Sequence, residues 1–181
     1  MVTQDLTDEQ LVAEIRKSNP ELYGEIIKRY EVKLTHYLRK FIRDADELED
    51  VLQEVFIKTY RNLYGFDVEK KFSPWIYRLA HNEAINQIKK YKKESFSLDE
   101  KEWEIVDKKI DIIGKIDADF SRVKIEEALA RLDNKYRDPL VLYFFEQKSY
   151  EEISDILHIP ISTVGTLILR GKNKLKDFLK K

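Results

Sequence analysis

SYEEISDILHIPISTVGTLILRGKNKLKDFL, residues 149–179, is the stretch on which the fold turns. Ser149 and Glu152 stand three apart, the spacing of a reciprocal helix cap, ahead of a short helix with Ile153, Ile156 and Leu157 inward. His158-Ile159-Pro160 breaks that helix, and Ser162 is placed to cap the next one. At 100° per residue, Val164, Ile168, Gly171, Leu175, Phe178 and Leu179 gather on one side of this second helix. Ser162, Thr166, Leu169, Arg170 and Asn173 gather on the other. Two short helices across a tight turn form a helix-turn-helix. Hydroxyls, an amide and a guanidinium facing outward together suit base edges and phosphates.

Upstream, the periodicity remains helical almost throughout. One pattern runs from Pro20 to Ile42 through Leu22, Ile26, Tyr30, Leu34, Leu38 and Phe41. A second starts near Asp46 and carries Leu48, Leu52, Val55 and Thr59 before Gly65. A third opens at Ser73-Pro74, with Ser as cap and Pro in the first turn, and continues to Lys93. Residues 94–120 break the pattern and read as a linker with a short helical turn near Trp103–Val106. Helices resume over 121–132, about 138–146, 150–157 and 162–179. The expected architecture is all-α: two small helical domains, 1–93 and 121–181, joined by an acidic linker, 94–120. The C-terminal domain contains the helix-turn-helix.

The net charge of −1 hides segregation. Residues 44–54 carry six acids and no base, residues 70–93 are net +6, residues 94–119 net −5, and residues 162–181 net +5. A polyanion therefore meets two basic surfaces with an acidic stretch between them. In the helix from Trp75, the residues Ile76, Ala80, Ala84 and Ile88 make an apolar stripe, and Arg78, Asn82, Asn86, Lys89 and Lys93 lie opposite. Cations mixed with amides over four turns suit a nucleic-acid strand. Before it, Lys71 and Phe72 close a loop, 66–73, in which an aromatic beside a cation suits an unpaired base, although aromatics at such spacings taken alone more often belong to the core. Tyr60, just upstream, reads as core. The acidic helix 46–56 would repel phosphate; Asp46, Asp50 and Gln53 share a face there with Glu49 and Glu54 flanking it, a pattern that a plain solvated face also shows.

Other classes fit poorly. The chain has no cysteine, and His36, His81 and His158 are scattered without metal-ligand spacing, so neither an enzyme nor a cofactor is expected. No stretch approaches the roughly 18 apolar residues of a membrane span, and the acidic, amphipathic N-terminus does not resemble a secretory signal. A cytoplasmic protein without membrane insertion is the expectation. An ordinary helix-turn-helix regulator that binds duplex operators as a dimer is one reading, but no dimerisation or effector-binding element is visible.

Two sets of residues carry a family resemblance. One is Ser149, Tyr150, Glu151, Glu152, Ile153, Pro160, Thr163, Val164, Thr166 and Arg170. The other comprises Tyr23, Tyr30, Glu49 to Phe56 (EDVLQEVF) and Trp75 to Asn82 (WIYRLAHN). In this order and across such a linker, they resemble the extracytoplasmic-function (ECF) group of bacterial sigma factors. The resemblance implies an N-terminal domain that binds the minus-ten promoter element and the clamp of core RNA polymerase. It implies a C-terminal domain that binds the minus-thirty-five element. Lys71 and Phe72 then serve a flipped minus-ten base, and the acidic face docks on the clamp. Core polymerase and promoter DNA are the implied partners, and members are often held inactive by an anti-sigma protein. Gly165, Leu167 and Leu169 depart from the group's usual residues. They shift recognition toward Arg170, Thr166 and apolar contact by Leu169, with Leu167 turned toward packing.

Overall fold

The computed structural model describes residues 5–17, 19–94 and 122–179. The expected linker lies outside the described residues, apart from Glu94, as does the turn expected near Trp103–Val106. The chain divides into two compact units, Met1–Phe96 and Ser97–Lys181. Among the described residues every regular element is helical.

The first unit holds α1 (Asp8–Lys17), α2 (Tyr23–Leu38), α3 (Ala45–Asn62) and α4 (Phe72–Glu94). Thr7 and Gln10 cap α1 reciprocally: Thr7 N–H donates to Gln10 Oε1 at 2.9 Å, and Gln10 N–H to Thr7 Oγ1 at 3.3 Å. Asp44 caps α3, accepting from the Asp46 and Glu47 amides at 3.0 Å. The expected stripes meet in one core, where Ile26, Tyr30, Leu34, Leu38, Val55, Ile76, Ala80 and Ala84 are buried. Burying each large apolar side chain there contributes about 1.5–3 kcal/mol. Two polar groups are satisfied inside it: Thr59 Oγ1 donates to the Val55 carbonyl at 2.7 Å, and Tyr37 OH meets His81 Nδ1 at 2.9 Å.

Helix α4 starts at Phe72, so Ser73 is not its cap but lies in its first turn with Pro74. Proline is tolerated there because first-turn N–H groups have no intrahelical partner anyway. The earlier start puts Phe72 in register with Ile76 and Ala80, at the head of the buried stripe.

The second unit holds α5 (Arg122–Ala130), α6 (Asn134–Leu140), a π-type turn (Val141–Phe145), α7 (Tyr150–Leu157) and α8 (Ile161–Leu179). The helix expected over 138–146 begins at Asn134, with Pro139 inside it rather than in its first turn. Beyond the proline the chain widens, with Glu146 N–H donating to the Val141 carbonyl at 3.2 Å. Helix α8 packs on α6 closely enough that Gly171 touches it. A Cβ at Gly171 would stand 2.8 Å from Leu140 Cδ1 and 3.1 Å from the Tyr136 carbonyl oxygen.

Candidate nucleic-acid interface

Helices α7 and α8 turn through 98° across residues 158–160, within the range of a helix-turn-helix. The turn is fixed at three places. Ser149 and Glu152 cap α7 reciprocally, at 2.9 and 3.2 Å. His158 ends α7 in the left-handed region, with φ 53° and ψ 45°, a place glycine usually takes. Ser154 Oγ then donates to the Ile159 carbonyl at 2.6 Å and closes the corner. Ser162 does not cap α8; that helix starts one residue earlier, at Ile161, and Ser162 falls in its first turn.

The two faces of α8 separate as the angular argument requires. Val164, Ile168, Gly171, Leu175 and Leu179 are buried, and Phe178 is half-buried under the Arg131 guanidinium at 4.9 Å. Ser162, Thr166, Leu169, Arg170 and Asn173 are all exposed. Leu169 is 61% exposed. Leu167 is half-buried. Gly165 faces the Tyr150 ring, and a Cβ there would lie 3.2 Å from Tyr150 Cε2. Its neighbour is therefore a side chain of the preceding helix.

In the first unit, α4 presents Asn82, Asn86 and Lys89 to solvent, with Arg78 half-buried beside them. Glu83, the one acid of 70–93, is neutralised by Lys58 of α3 at 2.7 Å. Lys58 also reaches Glu54 at 3.5 Å. Lys71 is exposed at the end of the 66–73 loop. Phe72 corrects the expectation: it is fully buried, its ring 5.6 Å from Tyr30, 5.3 Å from Phe66 and 5.4 Å from Trp75. It packs the floor of the loop and offers no face to a base. Tyr60 departs the other way, standing 44% exposed with its ring against Tyr23 at 4.9 Å.

Asp46, Glu49, Asp50 and Gln53 are exposed along α3, with Glu54 half-buried. Acids in the first turn of α3 favour the helix itself through its dipole. Glu49, Asp50 and Glu54 lie beyond that turn and gain little from it. Burial, followed by the charges of Asp44 and Asp50, raises the Glu47 carboxyl above its ordinary range.

Among the described residues no cluster of His, Asp and Glu is arranged to hold a metal ion, and no single helix is long and apolar enough to cross a membrane. Helix α1 escaped the periodicity argument. Its signal was the Thr7…Gln10 pair, the same capping spacing as Ser149…Glu152.

Two helical units, one with a helix-turn-helix and one with paired basic and acidic faces, define a two-domain transcription factor. The Sigma-70 region 2 family model matches residues 26–94, and the Sigma-70, region 4 model matches residues 122–175. The ECF RNA polymerase sigma factor SigW of Bacillus subtilis (strain 168) is 30% identical over 179 residues, covering 93% of this chain and 95% of its own. The RNA polymerase sigma-H factor of Pseudomonas aeruginosa is 29% identical over 187 residues, covering 99% and 96%. The sigma factor RpoE from Bartonella quintana, solved in complex with the anti-sigma factor NepR, shares the fold. Its TM-score is 0.72 at 19% identity, covering 87% of this chain and 96% of that one. The chain belongs to the ECF group of RNA polymerase sigma factors. It is a DNA-binding initiation factor that associates with core RNA polymerase and directs promoter recognition, and a regulator acting without polymerase is not favoured.

Proposed function

We propose that three surface faces divide the work of this sigma factor. Ser162, Thr166, Leu169, Arg170 and Asn173 read the minus-thirty-five duplex from α8. Arg78, Asn82, Asn86 and Lys89 of α4, with Lys71 from the loop, hold the opened minus-ten strand. Asp46, Glu49, Asp50, Gln53 and Glu54 of α3 dock on core polymerase. The segregation of the basic α4 face from the acidic α3 face within one four-helix unit carries this reading. A surface that repels phosphate and one that attracts it suit a subunit lying between polymerase and DNA.

The protein works in the cytoplasm on an alternative, stress-type regulon and is open to control by an anti-sigma protein; the Bartonella quintana RpoE, of the same fold, was solved in complex with the anti-sigma factor NepR. Run-off transcription with purified core polymerase on a randomised promoter library tests the whole reading. Selection of paired minus-thirty-five and minus-ten elements supports it. Transcripts that select no upstream element, or none dependent on core, refute it.

A further inference from the structure

The loop between α3 and α4 is fastened at both ends by one helix, and that helix lies outside the residues matched as region 2. At the loop's start, Arg16 of α1 donates from Nε to the Leu63 carbonyl at 2.8 Å, and from Nη2 to the carbonyls of Leu63 and Phe66. At its end, Glu9 Oε1 accepts the Phe72 N–H at 2.9 Å. These partners stand 47 to 63 residues apart in sequence. Between the anchors, the Phe66 and Phe72 rings meet edge to face at 5.3 Å and 89°, closing the base of the loop. Only residues 67–71 project, and they carry a turn of their own. Lys70 N–H donates to the Asp67 carbonyl at 3.0 Å, and Glu69 N–H to Asp67 Oδ1 at 3.1 Å.

Helix α1 is also held by contacts that do not involve these two residues. Leu11, Val12 and Ile15 bury its apolar face, and Asp8 ties it to α2 through Tyr30 OH at 2.5 Å and Arg29 Nη1 at 2.8 Å. Arg16 and Glu9 are spent on the loop instead. An ionised group bonded to a backbone carbonyl or amide gives a stronger hydrogen bond than a neutral pair.

We propose that α1 is a positioning element for minus-ten capture, with Arg16 and Glu9 fixing the 67–71 loop so that Lys71 meets the strand in one orientation. This rests on the assignment of Lys71 to the minus-ten strand under the proposed function.

Two readouts on the full chain separate the ideas. The first is hydrogen exchange at the amides of 67–71 in Arg16→Met, Glu9→Met and Glu9→Gln. The second, in holoenzyme with core polymerase, is affinity for a single-stranded minus-ten oligonucleotide relative to the same strand with an abasic site. Lys71→Ala is included as the control for the loop's role. The two methionine variants should speed loop exchange and lower the matched-to-abasic ratio roughly tenfold each. Exchange in α2 and affinity for a minus-thirty-five duplex should stay unchanged. Glu9→Gln, which keeps an acceptor oxygen, should restore most of both. Unchanged loop exchange overturns the inference, and so does exchange that rises equally through α2, α3 and α4, since that marks a merely structural role. If the loop loosens but Lys71→Ala leaves minus-ten affinity intact, the positioning holds and the assignment of the loop to DNA fails.

Discussion

Two glycines six residues apart on α8 should respond differently to alanine. Each substitution removes backbone freedom from the unfolded chain and improves helix propensity by about 1 kcal/mol. At Gly165 the new methyl meets only the edge of Tyr150, at 3.2 Å, and that ring is 38% exposed and free to give a few tenths of an ångström. Gly165→Ala should therefore keep most of the gain. At Gly171 the methyl would stand 2.8 Å from Leu140 Cδ1, 3.2 Å from Leu140 Cγ and 3.1 Å from the Tyr136 carbonyl. Leu140 is 1% exposed and the carbonyl belongs to α6 itself, so relief requires the two helices to part. Overpacking of that kind costs about 1–3 kcal/mol, which cancels or exceeds the propensity term. Because propensity is common to both, the difference between the variants isolates the contact, about 1–3 kcal/mol. Urea-dependent hydrogen exchange of α8 amides in the full chain measures it. Gly171→Ala as stable as Gly165→Ala would refute the close-approach argument.

The remaining predictions concern function and pH. Arg170→Ala should lose about 1–3 kcal/mol of minus-thirty-five discrimination if its guanidinium reads a base; a phosphate contact gives a uniform drop and a salt slope smaller by about one. Unchanged anisotropy titrations would reject both. Asp50→Lys combined with Gln53→Ala should weaken association with core polymerase while leaving the circular dichroism melt intact. Co-purification that survives elevated salt would contradict the docking face. In α6, burial pushes the Asp138 carboxyl up to about 6 from 3.8, against the pull of Arg137, whose Nε is 3.2 Å from Oδ1. The folded state thus holds this proton more tightly than the unfolded one. The stability that it confers is complete below about pH 4 and is lost as pH rises through about 6, up to about 3 kcal/mol. Asp138→Asn should flatten the urea midpoint of the second unit between pH 4 and 7, and parallel profiles would dismiss the idea.

The parts legible in the sequence were those set by periodicity. The exposed set on α8 and the buried set beneath it follow from 100° per residue, and the α7 cap follows from a three-residue spacing. Helix starts were harder to place. Ser73 and Ser162 looked like caps because serine commonly is one, yet both helices begin one residue earlier, Phe72 being drawn in by its register with Ile76. The helix expected from about 138 starts instead at Asn134, with Pro139 at its sixth position. Tyr60 and Phe72 exchanged roles because local sequence does not say which way an aromatic at an element boundary turns. The Arg16 and Glu9 contacts join residues 47 to 63 apart, and no local pattern encodes them.

The fastened loop changes where the entropy of recognition is settled. Ordering a backbone costs about 1–2 kcal/mol per residue, so a slack five-residue segment would impose several kilocalories on whatever it grips. Here the anchors at Leu63, Phe66 and Phe72 and the turn at Asp67 supply part of that ordering when the chain folds. On the proposed assignment, a strand reaching residues 67–71 would meet a segment already fastened at both ends by Arg16 and Glu9. Its residence time should then depend on contacts made rather than on freedom surrendered, and warming should loosen it only as fast as it loosens those contacts.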